Sequence, residues 1–177
     1  MKLSLFRWRF WADRLRGGAS APPRASLRET LFAGLGGMLA ISLLAALTIN
    51  AGIPALMAPL GASCFLVFAV PESPFAQPRS LIGGHLVSSA VGLTVLAIAG
   101  PEGWAMGVSV GLAIIAMQLT RTGHPPAGAD PLLVLMIQPD WLFLATPVLI
   151  GTIGIVSVAL IFNNLRPGQG YPRYWCG

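Results

Sequence analysis

Long apolar runs, rather than alternating or amphipathic ones, organise this chain. Six stand out, at residues 30–49, 54–70, 81–99, 104–119, 127–138 and 141–162. A helix that is apolar all round belongs in lipid or at the centre of a bundle. At ~1.5 Å per residue, about 20 residues cross a ~30 Å hydrocarbon core, and the first run has that length. The second run is interrupted at Pro59 and Gly61, and the fifth is too short to cross unaided. Lipid offers no water to pair with backbone groups freed by a proline, so such breaks survive only where protein satisfies them. The pattern predicts an all-α polytopic membrane protein with six crossing elements, the second and fifth broken.

Composition agrees. The 177 residues are 55% hydrophobic and 10% charged, against about 25% charged in an ordinary soluble domain. A soluble enzyme is close to excluded on that count. The net charge is +5, and its placement carries the information. Lys2, Arg7, Arg9, Arg14, Arg16, Arg24 and Arg28 fall within residues 1–29, a basic segment predicted to lie on the anionic cytoplasmic leaflet. Phe6, Trp8, Phe10, Trp11 and Leu15 interleave with these cations, as in a short interfacial helix. The segment lacks the apolar core and cleavage site of a signal peptide. With so apolar a remainder, nucleic acid is not the expected partner. If the N-terminus is cytoplasmic and six elements cross, Arg79, Arg121, Arg166 and Arg173 also fall inside, while the outer loops hold only Glu102 and Asp140. That is the positive-inside distribution, expected for a bacterial-type inner membrane with both termini cytoplasmic. The expected division is residues 1–29 as the basic segment, 30–163 as the transmembrane domain and 164–177 as a cytoplasmic tail. Cys64 and Cys176 make neither a disulfide framework nor a metal pair. No cofactor or metal is expected, and Cys64 reads as a small core residue.

The chain matches itself without gaps at an offset of 67 residues. Pro59-Leu60-Gly61-Ala62-Ser63 lies over Pro126-Ala127-Gly128-Ala129-Asp130, Gly84 over Gly151, and Val91 over Val158. Each unit then holds three crossings, and an odd number inverts the second unit relative to the first. Inverted repeats with discontinuous helices describe many secondary transporters. The helices after Gly61 and Gly128 are each about half a membrane long, at ~1.5 Å per residue, and their N-termini face each other near the midplane. A helix N-terminus presents unpaired N–H groups and positive dipole charge, which suit a small anion. Gly61, Ala62, Ser63, Gly128, Ala129 and Asp130 are therefore the candidate substrate-binding residues, with Ser63 and Asp130 as helix caps, ligand contacts or both.

Three stretches resemble one family: Ala-Pro-Leu-Gly-Ala-Ser at 58–63, Pro-Glu-Ser-Pro-Phe-Ala-Gln-Pro-Arg-Ser-Leu-Ile-Gly-Gly-His at 71–85, and His-Pro-Pro-Ala-Gly-Ala at 124–129. Together they resemble the HPP family of integral membrane proteins, named for the tripeptide His124, Pro125 and Pro126, over residues 28–163. Family members in photosynthetic organisms are implicated in nitrite transport, so the resemblance implies a transporter of a small, nitrite-like anion. Some relatives carry an additional C-terminal regulatory domain that residues up to Gly177 have no room for, so their substrate is not simply carried over.

Five residues are candidates for proton coupling or gating. His124 precedes two prolines that force extended backbone, and is either a proton donor at the cytoplasmic mouth or a solvated turn residue. His85 is an intramembrane ionisable group, functional by default or neutral and bonded to a carbonyl. Asp130 repels an anion when ionised and shares its site when protonated. Glu72 and Arg79 flank one inside loop, as a gate or an exposed pair. Gly103, Gly107 and Gly111 recur at four-residue spacing, for packing within the bundle or for a homodimer seam. The expected function is small-anion transport, with a non-transporting structural or regulatory subunit as the rival; no nucleophile–base or phosphate-loop motif points to an enzyme.

Overall fold

The computed structural model describes residues 10–12, 14–166, 168 and 170–176. Among these the architecture is all-helical. Six helices follow in order: α1 Leu27–Ile49, α2 Ala58–Ala69, α3 Pro78–Ala99, α4 Gly103–Leu119, α5 Asp130–Ile137 and α6 Ile150–Phe162. Three helical stretches have the length and apolarity to cross a membrane, namely Leu27–Ile49, Pro78–Ala99 and Trp141–Leu165. Ala58–Ala69, Gly103–Leu119 and Pro125–Ile137 are shorter. Of the expected interfacial helix, residues 10–12 and 14–15 are helical, with Arg14 stacked 4.2 Å from the Phe10 ring centroid. Lys2, Phe6, Arg7, Trp8 and Arg9 lie outside the described residues.

The helix starts follow local chemistry. α1 begins at Leu27, three residues before the apolar run, because Ser26 and Glu29 close a reciprocal capping box. Thr48 Oγ1 then receives the Ala55 N–H, which anchors an extended stretch leading to α2. The break in the second element falls earlier than expected. Pro59 sits in the first turn of α2, where a missing N–H costs nothing, and Gly61 is already helical. The fifth element enters through a 3₁₀ turn, Pro125–Ala129, before the eight residues of α5. The sixth element is also broken, which the apolar pattern concealed. Its strand-like Thr146 (φ −135°, ψ 116°) precedes Pro147 inside a π-turn, Ala145–Leu149.

α3 is the central helix, packing on α4, α5, α6 and the Pro125–Ala129 turn, while α1 packs mainly on α2 and α6. Leu44, Leu60, Val67, Phe68, Leu81, Leu135 and Ile155 form the buried core. The backbones approach closely at glycines. A Cβ at Gly84 would lie 2.7 Å from the Thr122 carbonyl oxygen, and one at Gly151 would lie 2.5 Å from the Ala55 carbonyl oxygen. All four arginines beyond the N-terminal segment gather at one end of the bundle. Arg79 bonds the Thr120 and Arg121 carbonyls, Arg166 stacks 3.8 Å from the Phe32 centroid, and Arg173 pairs with Glu72.

Candidate functional site

Among the described residues twelve polar or charged ones are buried, and five of them join one hydrogen-bonded chain. Its centre is Ser63, one turn inside α2 rather than at its N-cap. The Ser63 Oγ lies 2.8 Å from His85 Nε2 and 2.8 Å from His124 Nε2. His85, projecting from α3, places its Nδ1 2.7 Å from Asp130 Oδ2. Ser89, one turn further along α3, donates to that same carboxylate oxygen at 3.1 Å. At the other end His124 Nδ1 meets the Phe75 carbonyl oxygen at 2.6 Å. Ser63, His85, Ser89 and Asp130 are fully buried and His124 nearly so. Buried polar groups of this kind stand only when hydrogen-bonded. Within this network one atom breaks the rule: Asp130 Oδ1 has no partner among the described residues.

Local structure explains how these residues meet. Pro125 and Pro126 keep His124 extended (φ −143°, ψ 100°), which turns its ring back toward α2 and α3. Gly84 leaves room for it, since a Cβ there would stand 2.7 Å from His124 Cβ. Ser88 fastens the same turn by donating to the Ala127 carbonyl at 2.6 Å. On α3 the residues Ser80, Gly84, Ser88 and Gly92 recur every fourth position beside His85 and Ser89. That small, polar stripe on an apolar helix was the available signal for Ser88 and Ser89, which sequence reasoning missed.

Two clefts adjoin the network. One of about 310 Å³ is lined by His124, Phe75, Met117, Gln118, Gly123 and Gly128 among others. The other, about 450 Å³, lies between the two half-helix starts. Its walls include Pro59, Pro125 and Pro126, which carry no N–H, with Ala58, Ala62, Ala129, Leu132, Leu133 and Met136 completing an apolar lining.

The structure therefore brings together Ser63, His85, His124 and Asp130, and corrects four expectations. The backbone donors expected at Gly61, Ala62 and Ser63 are spent inside α2, because the helix begins at Ala58. Asp130 and Ser63 are not caps: neither helix start has a side-chain cap bond, and both side chains turn inward to the histidines. Glu72 and Arg79 do not pair. Glu72 meets Arg173 at 2.7 Å, and Arg79 reaches over to the carbonyls ending α4, whose partial negative charge attracts it. Gly103, Gly107 and Gly111 face outward with no atom near a Cβ at any of them, whereas α4 packs through Ala105, Ser109, Ala113 and Met117. Packing within the bundle is thus not their role. Cys64 is a core residue, as read.

The arginine-rich end is strapped by the C-terminal segment. Tyr171 donates its hydroxyl proton to the Ala76 carbonyl, and Arg173 N–H bonds Gln77 Oε1. Gln77 in turn donates to the Pro71 and Ser73 carbonyls, closing the 71–77 turn. Burial pushes the Tyr171 phenol well above its ordinary range.

The sequence model of the family described as "HPP, transmembrane region" matches residues 22–172. A transmembrane protein of Dictyostelium discoideum is 34% identical over 173 residues, covering 90% of this chain and 55% of its own length. A second from the same organism is 33% identical over 171 residues, covering 90% of this chain and 60% of its own. The chain therefore spans less than two thirds of either relative. No solved structure matches it.

Proposed function

Since the chain belongs to the HPP family of integral membrane proteins, we propose that it moves a small anion, nitrite-like in size, across the bilayer together with a proton. One observation carries this reading: an uninterrupted chain of hydrogen bonds, bridged by the Ser63 hydroxyl, runs from an acid buried in the bundle, Asp130, to a histidine that lines a cleft, His124. Ionisable groups inside a membrane domain are costly and mark ion or proton paths. The anion sits in the cleft against His124, Gln118 and Gly128 rather than between the two half-helix starts, whose cleft has an almost wholly apolar lining.

Six crossings arranged as two inverted units belong to the same reading. Its support is a reciprocal contact. Gly84 in the first unit receives the Thr122 carbonyl, and Gly151 in the second receives the Ala55 carbonyl; both pairs are related by the 67-residue offset of the sequence repeat. The gathering of Arg79, Arg121, Arg166 and Arg173 at one end supports a cytoplasmic face there, with the basic N-terminal segment on the anionic leaflet of a bacterial-type inner membrane. The outward stripe of Gly103, Gly107 and Gly111 is the proposed homodimer face.

The order Ser63–His85–Asp130 is also that of a nucleophilic triad, and it favours a second reading as a serine hydrolase. That reading needs an accessible nucleophile, and Ser63 Oγ is fully buried between two imidazoles. The discriminating experiment is uptake of nitrite into proteoliposomes under an inward proton gradient, beside labelling with a fluorophosphonate. Gradient-driven uptake that Asp130→Asn abolishes supports transport. Folded protein without uptake of nitrite or other small anions overturns it in favour of a structural or regulatory subunit, and labelling at Ser63 favours the hydrolase.

A further inference from the structure

The hydrogen-bond partners fix where the protons are. The Phe75 carbonyl only accepts, so His124 carries its proton on Nδ1 and, when neutral, offers Nε2 as an acceptor. Ser63 then donates to His124 Nε2 and must accept from His85 Nε2. His85 Nε2 is thereby protonated, which leaves a single proton for the 2.7 Å contact between His85 Nδ1 and Asp130 Oδ2. The Pro59 carbonyl, 3.3 Å from Ser63 Oγ, is where the hydroxyl turns if His124 becomes doubly protonated.

From this we infer that His85 and Asp130 form a one-proton site whose outlet is His124 Nδ1, and that the Phe75 carbonyl closes the outlet. The inference rests on the proton-coupled reading and assigns its ligand, its direction and its latch. Release proceeds by a concerted shift. Asp130 gives its proton to His85 Nδ1, His85 gives its Nε2 proton to Ser63, Ser63 gives its own to His124 Nε2, and His124 gives its Nδ1 proton to a base in the cleft. That base is water or the conjugate base of a weak acid. Each bond broken is matched by one formed, and the buried site ends one proton poorer. His124 Nδ1 then holds a lone pair facing the carbonyl oxygen of Phe75 where a hydrogen bond had been. The two repel, so the 71–77 turn must draw back. Loss of the proton and release of the turn are one event, held in check by the Tyr171 and Arg173 contacts to that turn.

The repeat makes the outlet one-sided. The positions matching His85 and His124 in the other unit are Thr152 and Met57, and among the described residues Thr152 bonds only the Val148 and Leu149 carbonyls of the π-turn that leads into its helix. The other ionisable or charged groups on elements around His124 are Glu72 with Arg173, Arg79, Arg121 and Tyr171.

The test uses the full chain in nanodiscs with Cys176→Ser and Ser73→Cys, and reads maleimide labelling of the turn against pH. Gly103→Cys, at the far end of the bundle, corrects for thiolate chemistry. The corrected rate should rise about tenfold as pH is raised and the site loses its proton. Asp130→Asn should abolish the rise. Its amide N–H holds His85 Nδ1 as the protonated acid does, and cannot be lost. Infrared difference spectra should show a protonated carboxyl band that disappears in the same variant. Tyr171→Phe should label faster at every pH. A flat parental profile, or an Asp130→Asn profile that rises like the parent, overturns the inference. Neither readout requires transport, so a pH-dependent turn in a protein that takes up no anion would remove the transport reading and leave the proton site standing.

Discussion

Removing one oxygen atom should uncouple the buried network. Ser63→Ala deletes the hydroxyl that lies 2.8 Å from both imidazole Nε2 atoms. Neither nitrogen has another partner within the network, and both residues are at most 1% exposed. A buried polar group left unpaired costs about 1–3 kcal/mol, so two of them set an upper range of about 6 kcal/mol. The rings lie only 5.0 Å apart between centroids. They can approach each other and recover part of that pairing, which brings the expected loss to about 2–4 kcal/mol. At ~2–4 °C per kcal/mol for a chain of this size, the thermal midpoint in detergent should fall by on the order of 10 °C. Circular dichroism of the purified variant measures it. A cycle with His124→Leu isolates the bridge, because contacting residues couple by ~0.5–3 kcal/mol whereas independent ones add. Ser63→Ala with parental stability, or strictly additive with His124→Leu, would refute the bridging role and with it the proton path.

Two glycines of the repeat should respond in opposite ways. Gly151→Ala drives a Cβ to 2.5 Å from the Ala55 carbonyl oxygen and should cost about 1–3 kcal/mol of overpacking. Gly61→Ala meets nothing within 4 Å in a helix interior and should gain about 0.4–1 kcal/mol; both are read by thermal unfolding, and equal effects would contradict the packing described. Cysteines replacing Gly103 and Asp140 should label from the periplasm, and those replacing Ser73 and Arg121 from the cytoplasm; labelling of 121 and 140 from one side would end the six-crossing arrangement. For Tyr171 the sign is set by burial, which raises its value above the ordinary 10. The unfolded chain loses that proton first, so its share of stability is complete below about pH 10 and is lost as pH rises toward the folded value. Tyr171→Phe should flatten alkaline unfolding curves, and unchanged curves would show that the phenol is not buried against Ala76.

The apolar runs by themselves determined that this chain is helical and membrane-bound, because lipid permits few other ways to satisfy a backbone. Prolines marked the breaks for a similar local reason: Pro59 and Pro126 lack a donor wherever the chain goes. Even there the position was uncertain by a turn, since a proline is as well accommodated at the start of a helix as before it, and α2 starts at Ala58 rather than after Gly61. The break at Thr146 was missed because its run is uniformly apolar, and Pro147 was its only mark. His85, His124 and Asp130 were legible as candidates, each being ionisable among apolar neighbours. Their meeting was not, since Ser63 is separated by 22 residues from His85 and by 61 from His124. Only the packing of α2, α3 and the Pro125–Ala129 turn decides which side chains share a dry space. The same holds at the surface. Glu72 and Arg79 are close in sequence, yet Arg173, about a hundred residues away, is the partner that folding delivers to Glu72. Spacing also grouped Gly103, Gly107 and Gly111 on one face of a helix, but whether that face looks inward or out depends on the neighbours of α4. The tertiary structure turned it outward.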